Sequence, residues 1–394
     1  MSPSPIAIIG AGPCGLTFAR LLGQNNIDYI VFERDESAIP MPHQLGGTLD
    51  IHGTTGQEAI KRAGLFEKFS QLARWDAQSF VVQDPTRAIN RKFSGGRDAP
   101  EIDRVQLRRL LLDSIPAHKV RWGHGVKRVE KAADGDDWII FFSNDTTASN
   151  FRLIVGADGA WSKVRPLLTP VKPEYSGKLF IQGRISHDNP RYADALAQGG
   201  RGNMMAIGHG RQIGVQQVAD GSYQVHMGIL AAEDLTKTTL NVSDTEGTRR
   251  QLLSSPNYYP GFAPELRDFI ANAEGPFYAW RLYRMPVESM SWKRVPGVTL
   301  LGDAAHVSTP FAGEGVNCSM FDALRLVDCV LKYCGSGYDD DQGNMEQAVM
   351  EYESEMFVRA KDLISRSMAF EEIIYSDDAA RRLVAAFDEF GKEE

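Results

Sequence analysis

The start of the chain alternates between apolar runs and one stretch of helical periodicity. Residues 5–9 are almost wholly apolar, and residues 29–32 form a second short apolar run. Between them, residues 16–22 carry apolar side chains at the spacing of one helix face. Short continuous apolar runs are typical of strands that are buried on both faces. The pattern therefore predicts a strand, a helix and a second strand, joined by short turns.

Glycines and one acidic residue occupy the turns of this unit. Gly10, Gly12 and Gly15 lie between the first strand and the helix, and Glu33 and Arg34 follow the second strand. In such a unit the first glycine permits a tight turn, the second lets a pyrophosphate approach the backbone, and the third allows close helix–strand packing. The helix N-terminus attracts phosphate, and the acid accepts ribose hydroxyls. The combination predicts the βαβ unit of a Rossmann-type dinucleotide-binding domain.

Two later apolar runs also end in polar loops. Residues 151–155 lead into Asp158, and residues 298–301 lead into Gly302 and Asp303. The second loop also contains Pro310, Gly313, Gly315 and Asn317. Because open α/β sheets bind ligands beyond the carboxyl ends of their strands, both loops are candidate ligand-binding segments.

The middle of the chain, from about residue 172 to residue 280, changes to period-two alternation interrupted by Gly, Asn and Asp. In the segment 223–229, Tyr223, Val225, Met227 and Ile229 share one face, and Gln224, His226 and Gly228 share the other. This predicts a mainly antiparallel sheet inserted into the α/β domain. Its polar face is suited to covering a pocket and equally to facing solvent.

Helical patterns account for much of the remaining chain. Residues 101–112 predict a helix with a leucine face that also carries Arg104 and Arg108, which are either solvated or ligand-facing. Residues 345–370 and the acidic end of the chain predict further helices.

Composition excludes several classes of partner. The 394 residues carry a formal net charge of −8 without a basic block, which argues against binding to nucleic acid or anionic membrane. No apolar run approaches the ~18 residues of a membrane span, and no signal peptide is evident. The four cysteines form no C-x-x-C pair and the histidines no H-E-x-x-H motif, so we expect a reduced cytoplasmic protein without a bound metal.

Taken together, these motifs resemble the class A flavoprotein monooxygenases, the para-hydroxybenzoate hydroxylase group. Their three fingerprints occur here in order, namely the glycine motif with Glu33, the Asp158-Gly159 motif, and the Gly302-Asp303 motif. The resemblance implies an α/β fold, with a Rossmann-type FAD-binding domain, an inserted mainly antiparallel substrate domain and a C-terminal helical segment. We expect the FAD-binding domain to comprise residues 1–75, 100–171 and 285–335, the substrate domain 76–99 and 172–284, and the C-terminal helices 336–394.

Within this group the chain most resembles the tetracycline-inactivating flavin monooxygenases, for example at residues 46–52 and 310–313. The resemblance implies that Asp303 bonds the ribityl chain of FAD, that Arg108 and Arg104 lie near the flavin, and that the backbone of residues 313–317 faces the pyrimidine edge of the flavin ring. The implied FAD-binding residues are Gly10, Gly12, Gly15, Glu33, Arg34, Gly47, Asp50, Arg104, Arg108, Asp158, Asp303, Pro310, Gly313, Gly315 and Asn317.

The same similarity implies a substrate site. Gln182 and His226 match positions that hold the polar edge of tetracycline, and Asn203 replaces a substrate-binding arginine of that subgroup. This replacement favours a related polycyclic, phenolic or enolic compound, in secondary metabolism or xenobiotic modification, over tetracycline itself. The full implied set is Gln182, Asn203, Met205, His226 and Gly228.

The reaction implied by the resemblance is hydroxylation of a small molecule with NAD(P)H and O₂ through a flavin C4a-hydroperoxide. We expect no dedicated catalytic residue, because the cofactor carries the chemistry, and a monomer or homodimer. His226 and Gln182 either position the substrate or stabilise its ionised form. A flavin oxidase, reductase or Baeyer–Villiger enzyme of the same superfamily and a non-catalytic FAD-binding regulator are the alternatives; the tryptophan motif of flavin-dependent halogenases is absent from the sequence.

Overall fold

The computed structural model describes residues 4–41, 47–77, 79–93, 98–133, 135, 137–259, 261–335 and 342–390. The chain divides into two compact units. Unit 1 comprises Met1–Leu72, Arg104–Glu174 and Tyr283–Arg366, and unit 2 comprises Ala73–Asp103, Tyr175–Leu282 and Ser367–Glu394.

The strands, in chain order, are β1 Ile6–Ile9, β2 Tyr29–Phe32, β3 Thr48–Asp50, β4 Phe80–Gln83, β5 Asn90–Phe93, β6 Glu101–Asp103, β7 Val120–Arg121, β8 Val126–Lys131, β9 Trp138–Phe142, β10 Thr147–Ala148, β11 Leu153–Gly156, β12 Glu174–Ile185, β13 Asn203–Gly208, β14 Arg211–Gln217, β15 Tyr223–Leu230, β16 Glu274–Arg284 and β17 Val298–Leu300. The helices are α1 Pro13–Gln24, α2 Gly56–Arg62, α3 Phe66–Leu72, α4 Arg104–Leu112, α5 Tyr192–Gly199, α6 Leu235–Thr238, α7 Thr245–Ser254, α8 Pro264–Asn272, α9 Asp303–His306, α10 Gly315–Cys334, α11 Gln342–Ile374 and α12 Ala379–Phe390.

Unit 1 is built on a five-stranded sheet in the order β17-β11-β1-β2-β7. Every neighbouring pair in it is parallel. All residues of β1, β11 and β17 are buried, as their continuous apolar sequences predict for strands covered on both faces. A three-stranded antiparallel sheet, β10-β9-β8, belongs to the same unit. The predicted α/β fold is confirmed.

Unit 2 is built on a seven-stranded sheet in the order β16-β12-β15-β14-β13-β4-β5. β13 pairs with β4 in parallel, whereas β12, β15, β14 and β13 form consecutive antiparallel pairs. The predicted mainly antiparallel sheet is therefore confirmed. One face of the sheet packs into an apolar core that includes Tyr223, Val225, Met227 and Ile229 together with Leu252 and Phe269 of two helices. The strand pattern did not predict α5, α7 and α8 within this region.

Two segments depart from their sequence patterns because of hydrogen bonds. Residues 80–89 are strand-like in sequence, but the structure has the hairpin of β4 and β5 there, because Asp84 accepts hydrogen bonds from the backbone N–H groups of Thr86 and Ile89 and so closes a turn. The helix expected from Glu101 begins at Arg104. Glu101 is held in an extended conformation by reciprocal backbone hydrogen bonds with Arg74, whose guanidinium also contacts the Glu101 and Asp103 carboxylates.

The predicted C-terminal helices are α11 and α12, and the end of unit 1 at Arg366 falls within α11. Residues 336–341 and 391–394 of the predicted segment lie outside the described residues. Among the residues that the structure describes, no helix is both long enough and apolar enough to cross a membrane.

Candidate functional site

The three loops singled out in the sequence follow three adjacent parallel strands. Strand β11 lies between β1 and β17, with Ile9 opposite Gly156 and Gly156 opposite Leu300. Parallel strands end at the same edge of a sheet, so the segments that begin at Gly10, Ala157 and Leu301 emerge side by side. The sheet topology therefore brings the three loops together at one carboxyl edge.

The three glycines of the first loop have different surroundings. Gly10 has a φ of +110°, and a Cβ there would overlap the Ala157 carbonyl oxygen. A Cβ on Gly15 would overlap the Gly10 carbonyl oxygen, whereas a Cβ on Gly12 would meet no atom within 4 Å. Gly10 and Gly15 are thus required by packing, and the backbone at Gly12 faces open space.

Open space at Gly12 adjoins the N-terminus of α1. Gly12 is the N-cap residue of this helix, and within the described part of the chain no side chain caps it. The N–H groups of the first turn have no partner within the helix and point along its positive end. This is the chemistry of an anion-binding site.

Glu33 and Arg108 support the glycine loop at Ala11. The Glu33 carboxylate is 7% exposed and accepts hydrogen bonds from the N–H groups of Ala11 at 2.5 Å and Asp35 at 3.0 Å. Arg108 of α4 donates through Nε to the Ala11 carbonyl at 2.9 Å and pairs with the Asp35 carboxylate at 3.2 Å. Arg34 is exposed. Both peptide groups of Ala11 are therefore fixed by charged side chains.

Arg104 and Asp303 are two charged residues that interact electrostatically. The Arg104 N–H donates to the Gly47 carbonyl at 3.1 Å, and its side chain is exposed. Partial desolvation by surrounding protein atoms lowers the pKa of Arg104, and the negative charge of Asp303 opposes this shift. The Asp303 carboxylate is exposed and accepts no hydrogen bond from the described part of the chain. A carboxylate so placed can accept hydrogen bonds from ligand hydroxyls.

Arg165 links the second and third loops. It is 3% exposed and donates to the carbonyl oxygens of Ala304 at 2.7 Å, Ala160 at 2.7 Å and Asp303 at 3.1 Å. The Ser162 hydroxyl accepts hydrogen bonds from the backbone of the same turn. Arg165 was not among the predicted site residues, although its spacing from Ser162 was visible in the sequence.

Asp158 begins the second loop. Its Oδ2 accepts a hydrogen bond from the Lys163 N–H at 2.7 Å, and its buried Oδ1 accepts none from the described residues. Burial raises the pKa of this carboxyl, while hydrogen bonds from Ser162 and Lys163 work in the opposite direction. One oxygen of Asp158 braces the loop, and the other can accept a hydrogen bond from a ligand.

Asn317 joins the start of α10 to the strand β3. Its side chain donates to the Asp50 carbonyl at 2.9 Å and accepts from the His52 N–H at 2.8 Å. A Cβ on Gly313, which has a φ of +70°, would lie 3.5 Å from the Asp50 carboxylate. Asn317 therefore acts through its side chain as a brace, and only its backbone is available to a ligand.

The turn that leads into α10 is held by an ion pair. The 3₁₀ turn Pro310–Ala312 precedes Gly313, and Glu314 forms two hydrogen bonds with Arg366 at 2.6 and 2.8 Å. The hydrogen bond from Arg366 lowers the pKa of Glu314. No side chain of the described residues caps the helix that begins at Gly315, so its first N–H groups are also available to a ligand.

A buried ionic cluster lies beneath the Gly302-Asp303 loop. Asp322 pairs with His306 at 2.5 Å and with Arg359 at 3.0 Å, and it accepts the Gly302 N–H at 3.3 Å. Against the effect of burial, these cations lower the pKa of Asp322 and Asp322 raises that of His306. Cys318 lies close enough to complete a metal-ligand set, but the Asp322 oxygens are already engaged. The cluster anchors the loop to α10 and α11.

The predicted substrate residues all lie on one face of the sheet of unit 2. Gln182 lies opposite His226, His226 opposite Gly214, and Gly214 opposite Met205. Residues two positions away along a strand share the same face, which adds Asn203 and Gly228. This surface, opposite the apolar core, is called the polar face below. The structure gathers all five predicted residues on it.

His226 is neutral at physiological pH. Burial lowers its pKa to about 4. Its ring lies 6.2 Å from that of Phe180, and its imidazole has no hydrogen-bond partner among the described residues. His226 can therefore donate or accept one hydrogen bond, but it cannot stabilise an ionised substrate by a full positive charge.

Gln182 has a partner that sequence reasoning did not identify. The Trp280 indole Nε1 donates to Gln182 Oε1 at 3.1 Å. Trp280 lies on β16, next to β12 in the sheet, and is 41% exposed. The period-two pattern of β16 was the only sequence signal that could have placed Trp280 on this face.

A parallel sheet whose three adjacent strand ends carry glycine- and aspartate-rich loops defines a dinucleotide-binding protein. The sequence profile of one family, described as the FAD binding domain, matches residues 4–230 and 269–336. The chain belongs to this family, the class A flavin monooxygenases. The predicted group and its FAD cofactor are confirmed.

Named relatives agree with this membership. The monooxygenase penA of Penicillium thymicola is 29% identical over 96% of this chain and 97% of its own length. The 3-amino-4-hydroxybenzoate 2-monooxygenase of Streptomyces cremeus is 26% identical over 95% of this chain and 88% of its own. The prediction of an FAD-dependent monooxygenase is confirmed by this set of relatives.

A tetracycline destructase, Tet(51), has a similar fold. Its crystal structure superposes with a TM-score of 0.69, covers 98% of this chain and 96% of its own, and is 18% identical. At this identity the likeness concerns the fold.

Proposed function

We propose that the protein is an NAD(P)H-dependent hydroxylase that inserts one oxygen atom of O₂ into an electron-rich, planar small molecule. The observation that carries this proposal is the meeting of three loops, after β1, β11 and β17, at one edge of the parallel sheet. That edge has the parts that one FAD requires.

The polar groups of unit 1 are of the kinds that the parts of FAD require. The pyrophosphate is placed at the open backbone of Gly12, against the N-terminus of α1. Glu33 takes the adenosine ribose, and the exposed Asp303 carboxylate takes the ribityl hydroxyls. The uncapped N–H groups at the start of α10 take the oxygens of the flavin pyrimidine edge. Asp158 Oδ1, which accepts no hydrogen bond from the described residues, adds one hydrogen-bond acceptor at this edge of the sheet.

Bound and reduced, FAD supplies the activation of O₂ and the transfer of one oxygen atom to carbon. The polar face positions the substrate. Neutral His226 donates or accepts a hydrogen bond, and Gln182 donates from its amide nitrogen. In this proposal both residues position the substrate and neither transfers a proton.

The substrate class follows from the reaction and from a relative. Oxygen transfer of this kind requires an electron-rich carbon, as in a phenol or an enol, and the Streptomyces relative is named for an aminophenol. The sequence resemblance implies that Asn203 replaces an arginine of the tetracycline-inactivating enzymes, so we propose a polycyclic, phenolic or enolic compound other than tetracycline. The cytoplasmic location and a monomeric or dimeric state stay predictions from the sequence.

The test begins with the flavin. Purified protein is expected to bind one FAD per chain, and a phenol or enol substrate is expected to stimulate consumption of NAD(P)H and O₂. Reaction under ¹⁸O₂ is expected to add one labelled oxygen to the product. An oxidase would instead release hydrogen peroxide and leave the product unlabelled, and a regulator would bind FAD without turnover.

A further inference from the structure

The environment of Gln182 determines which end of its amide is available. A glutamine amide carries one acceptor and one donor end, and the two are not distinguished by shape. The Trp280 indole N–H can only donate, and it contacts Gln182 Oε1 at 3.1 Å. This hydrogen bond turns the oxygen of the Gln182 amide toward the indole, so its NH₂ group faces the other partners.

Among the described residues of β12, β14 and β15, the polar-face positions around Gln182 carry no charged side chain. Between Lys178 and Arg184 the polar-face residues of β12 are Phe180 and Gln182. The corresponding residues of β14 and β15 are Gln212, Gly214, Gln216, Gln224, His226 and Gly228. Lys178 is paired with Glu371 and Arg184 with Asp220, so the charges at the two ends of β12 are neutralised.

Two further glutamines on this face carry amide oxygens without hydrogen-bond partners in the described part of the chain. The side-chain oxygens of Gln212 and Gln224 are buried and have no hydrogen-bond partner among the described residues. His226 is neutral, with a pKa lowered to about 4. A buried carboxylate needs a cation or several donors, whereas an uncharged amide or lactam is satisfied by amide side chains.

We propose that Trp280 is a positioning residue that locks the Gln182 amide with its NH₂ group outward, so that the polar face selects a planar substrate through an uncharged carbonyl-bearing edge. The substrate class is thus a neutral aromatic amide, lactam or enolised ketone. The exposed indole also offers a flat apolar surface beside that edge. This inference rests on the proposed function only in taking the polar face as the substrate surface.

The hydrogen bond itself is tested without any substrate. In protein labelled with ¹⁵N-tryptophan, the indole signal of Trp280 is identified as the one that disappears in Trp280→Phe. We expect Gln182→Ala to move this signal upfield, because the acceptor is lost. Trp75, which is 40% exposed and lies in unit 2 before β4, is the control, and its indole signal is expected to stay in place. An unmoved Trp280 signal overturns the positioning role.

The selectivity is tested with two matched probes on the FAD-loaded protein, 3-amino-4-hydroxybenzamide and 3-amino-4-hydroxybenzoate, followed by the change in flavin absorbance. We expect the neutral amide to bind at least about tenfold more tightly than the carboxylate, since burying an anion on an uncharged face is unfavourable. Trp280→Phe is expected to weaken binding of the amide about three- to tenfold, because the Gln182 amide is no longer held in the orientation that donates a hydrogen bond to the substrate. Trp75→Phe is expected to leave it unchanged.

A double-mutant cycle separates positioning from packing. In a Gln182→Ala background, Trp280→Phe is expected to have no further effect, because no amide is left to orient. Equal effects in both backgrounds would show that the indole acts by packing alone and would overturn the proposal. Equal affinity for both probes, or no binding of either, would overturn the uncharged-edge assignment. The flavin content and ¹⁸O incorporation measured on the same samples report separately on the proposed function.

Discussion

The candidate sites of the two units are formed by different kinds of chemical group. In unit 1 the ligand-binding groups are mostly backbone, and glycines, helix ends and buried charged side chains such as Arg165 and Asp322 hold that backbone in place. In unit 2 the corresponding groups are uncharged side chains that project from strands, among them Gln182, His226 and Gln212. The positions of the groups in the first site are set by the local backbone conformation of the loops. The positions of the groups in the second site are set by the pairing register of the strands.

This difference has a consequence for recognition. A site made of backbone constrains the sequence directly, because only glycine fits at Gly10 and Gly15. A site made of strand side chains constrains only which positions face it, and any residue type of suitable size is compatible with the fold. We therefore propose that the site made of backbone serves the cofactor and that the site made of strand side chains serves the substrate.

The strongest test of the contrast lies within the glycine loop. Gly10→Ala introduces a Cβ that overlaps the Ala157 carbonyl at a positive φ, and we expect a loss of more than about 3 kcal/mol of stability from strain and overlap. Thermal denaturation of the FAD-free protein measures this loss.

Gly12→Ala is the matched control for that experiment. Its Cβ would meet no protein atom within 4 Å, so the FAD-free protein is expected to be as stable as the wild type. The same Cβ would occupy the space proposed for the pyrophosphate, and FAD affinity is expected to fall strongly. Normal FAD binding by Gly12→Ala would contradict the placement of the pyrophosphate.

A smaller effect is expected at Asp303. Because its carboxylate is exposed and accepts no hydrogen bond from the described residues, Asp303→Ala is expected to fold normally. Loss of a charge-assisted hydrogen bond to the ribityl chain is expected to weaken FAD binding about 10- to 100-fold. Fluorescence titration with FAD gives the affinity, and an unchanged value would remove Asp303 from the cofactor site.

The smallest effect concerns the pH dependence of unit 2. The folded-state pKa of His226 is lowered to about 4, below the ordinary value of 6.5, so between these values the unfolded state binds more protons. Stability is therefore expected to fall as the pH drops from 7 to 5, and His226 accounts for at most about 2 kcal/mol of that fall. His226→Gln, which cannot take up a proton, is expected to lose less stability over the same range. Identical pH profiles would show that the imidazole is not desolvated.

Much of this architecture was predictable from the sequence because its determinants are local. The βαβ unit, the two later strand–loop transitions and the face of β15 that packs into the core all follow from periodicity and from glycine positions. The hairpin at Asp84 and the extended segment at Glu101 were not predicted, because hydrogen bonds of the Asp84 side chain and of the Arg74 backbone and guanidinium override the pattern there.

The candidate site was predictable to a different extent in the two units. The loops of unit 1 carry sequence fingerprints, so their meeting at one edge follows from strand order alone. Arg165 and Trp280 were missed because each acts on a partner far away in the sequence, Arg165 on the carbonyl oxygens of residues 303 and 304 and Trp280 on Gln182. No local pattern reports such pairs.

Gly214 lies at the centre of the polar face, directly opposite His226. A Cβ there would lie 3.5 Å from the His226 Cβ, an ordinary van der Waals distance, so an alanine would fit without backbone movement. A Cβ on the neighbouring Gly228 would instead be crowded by Tyr375 and Phe180. Gly214 thus leaves room for one methyl group beside the imidazole, and we expect larger residues at this one position to exclude larger rings from the proposed substrate surface.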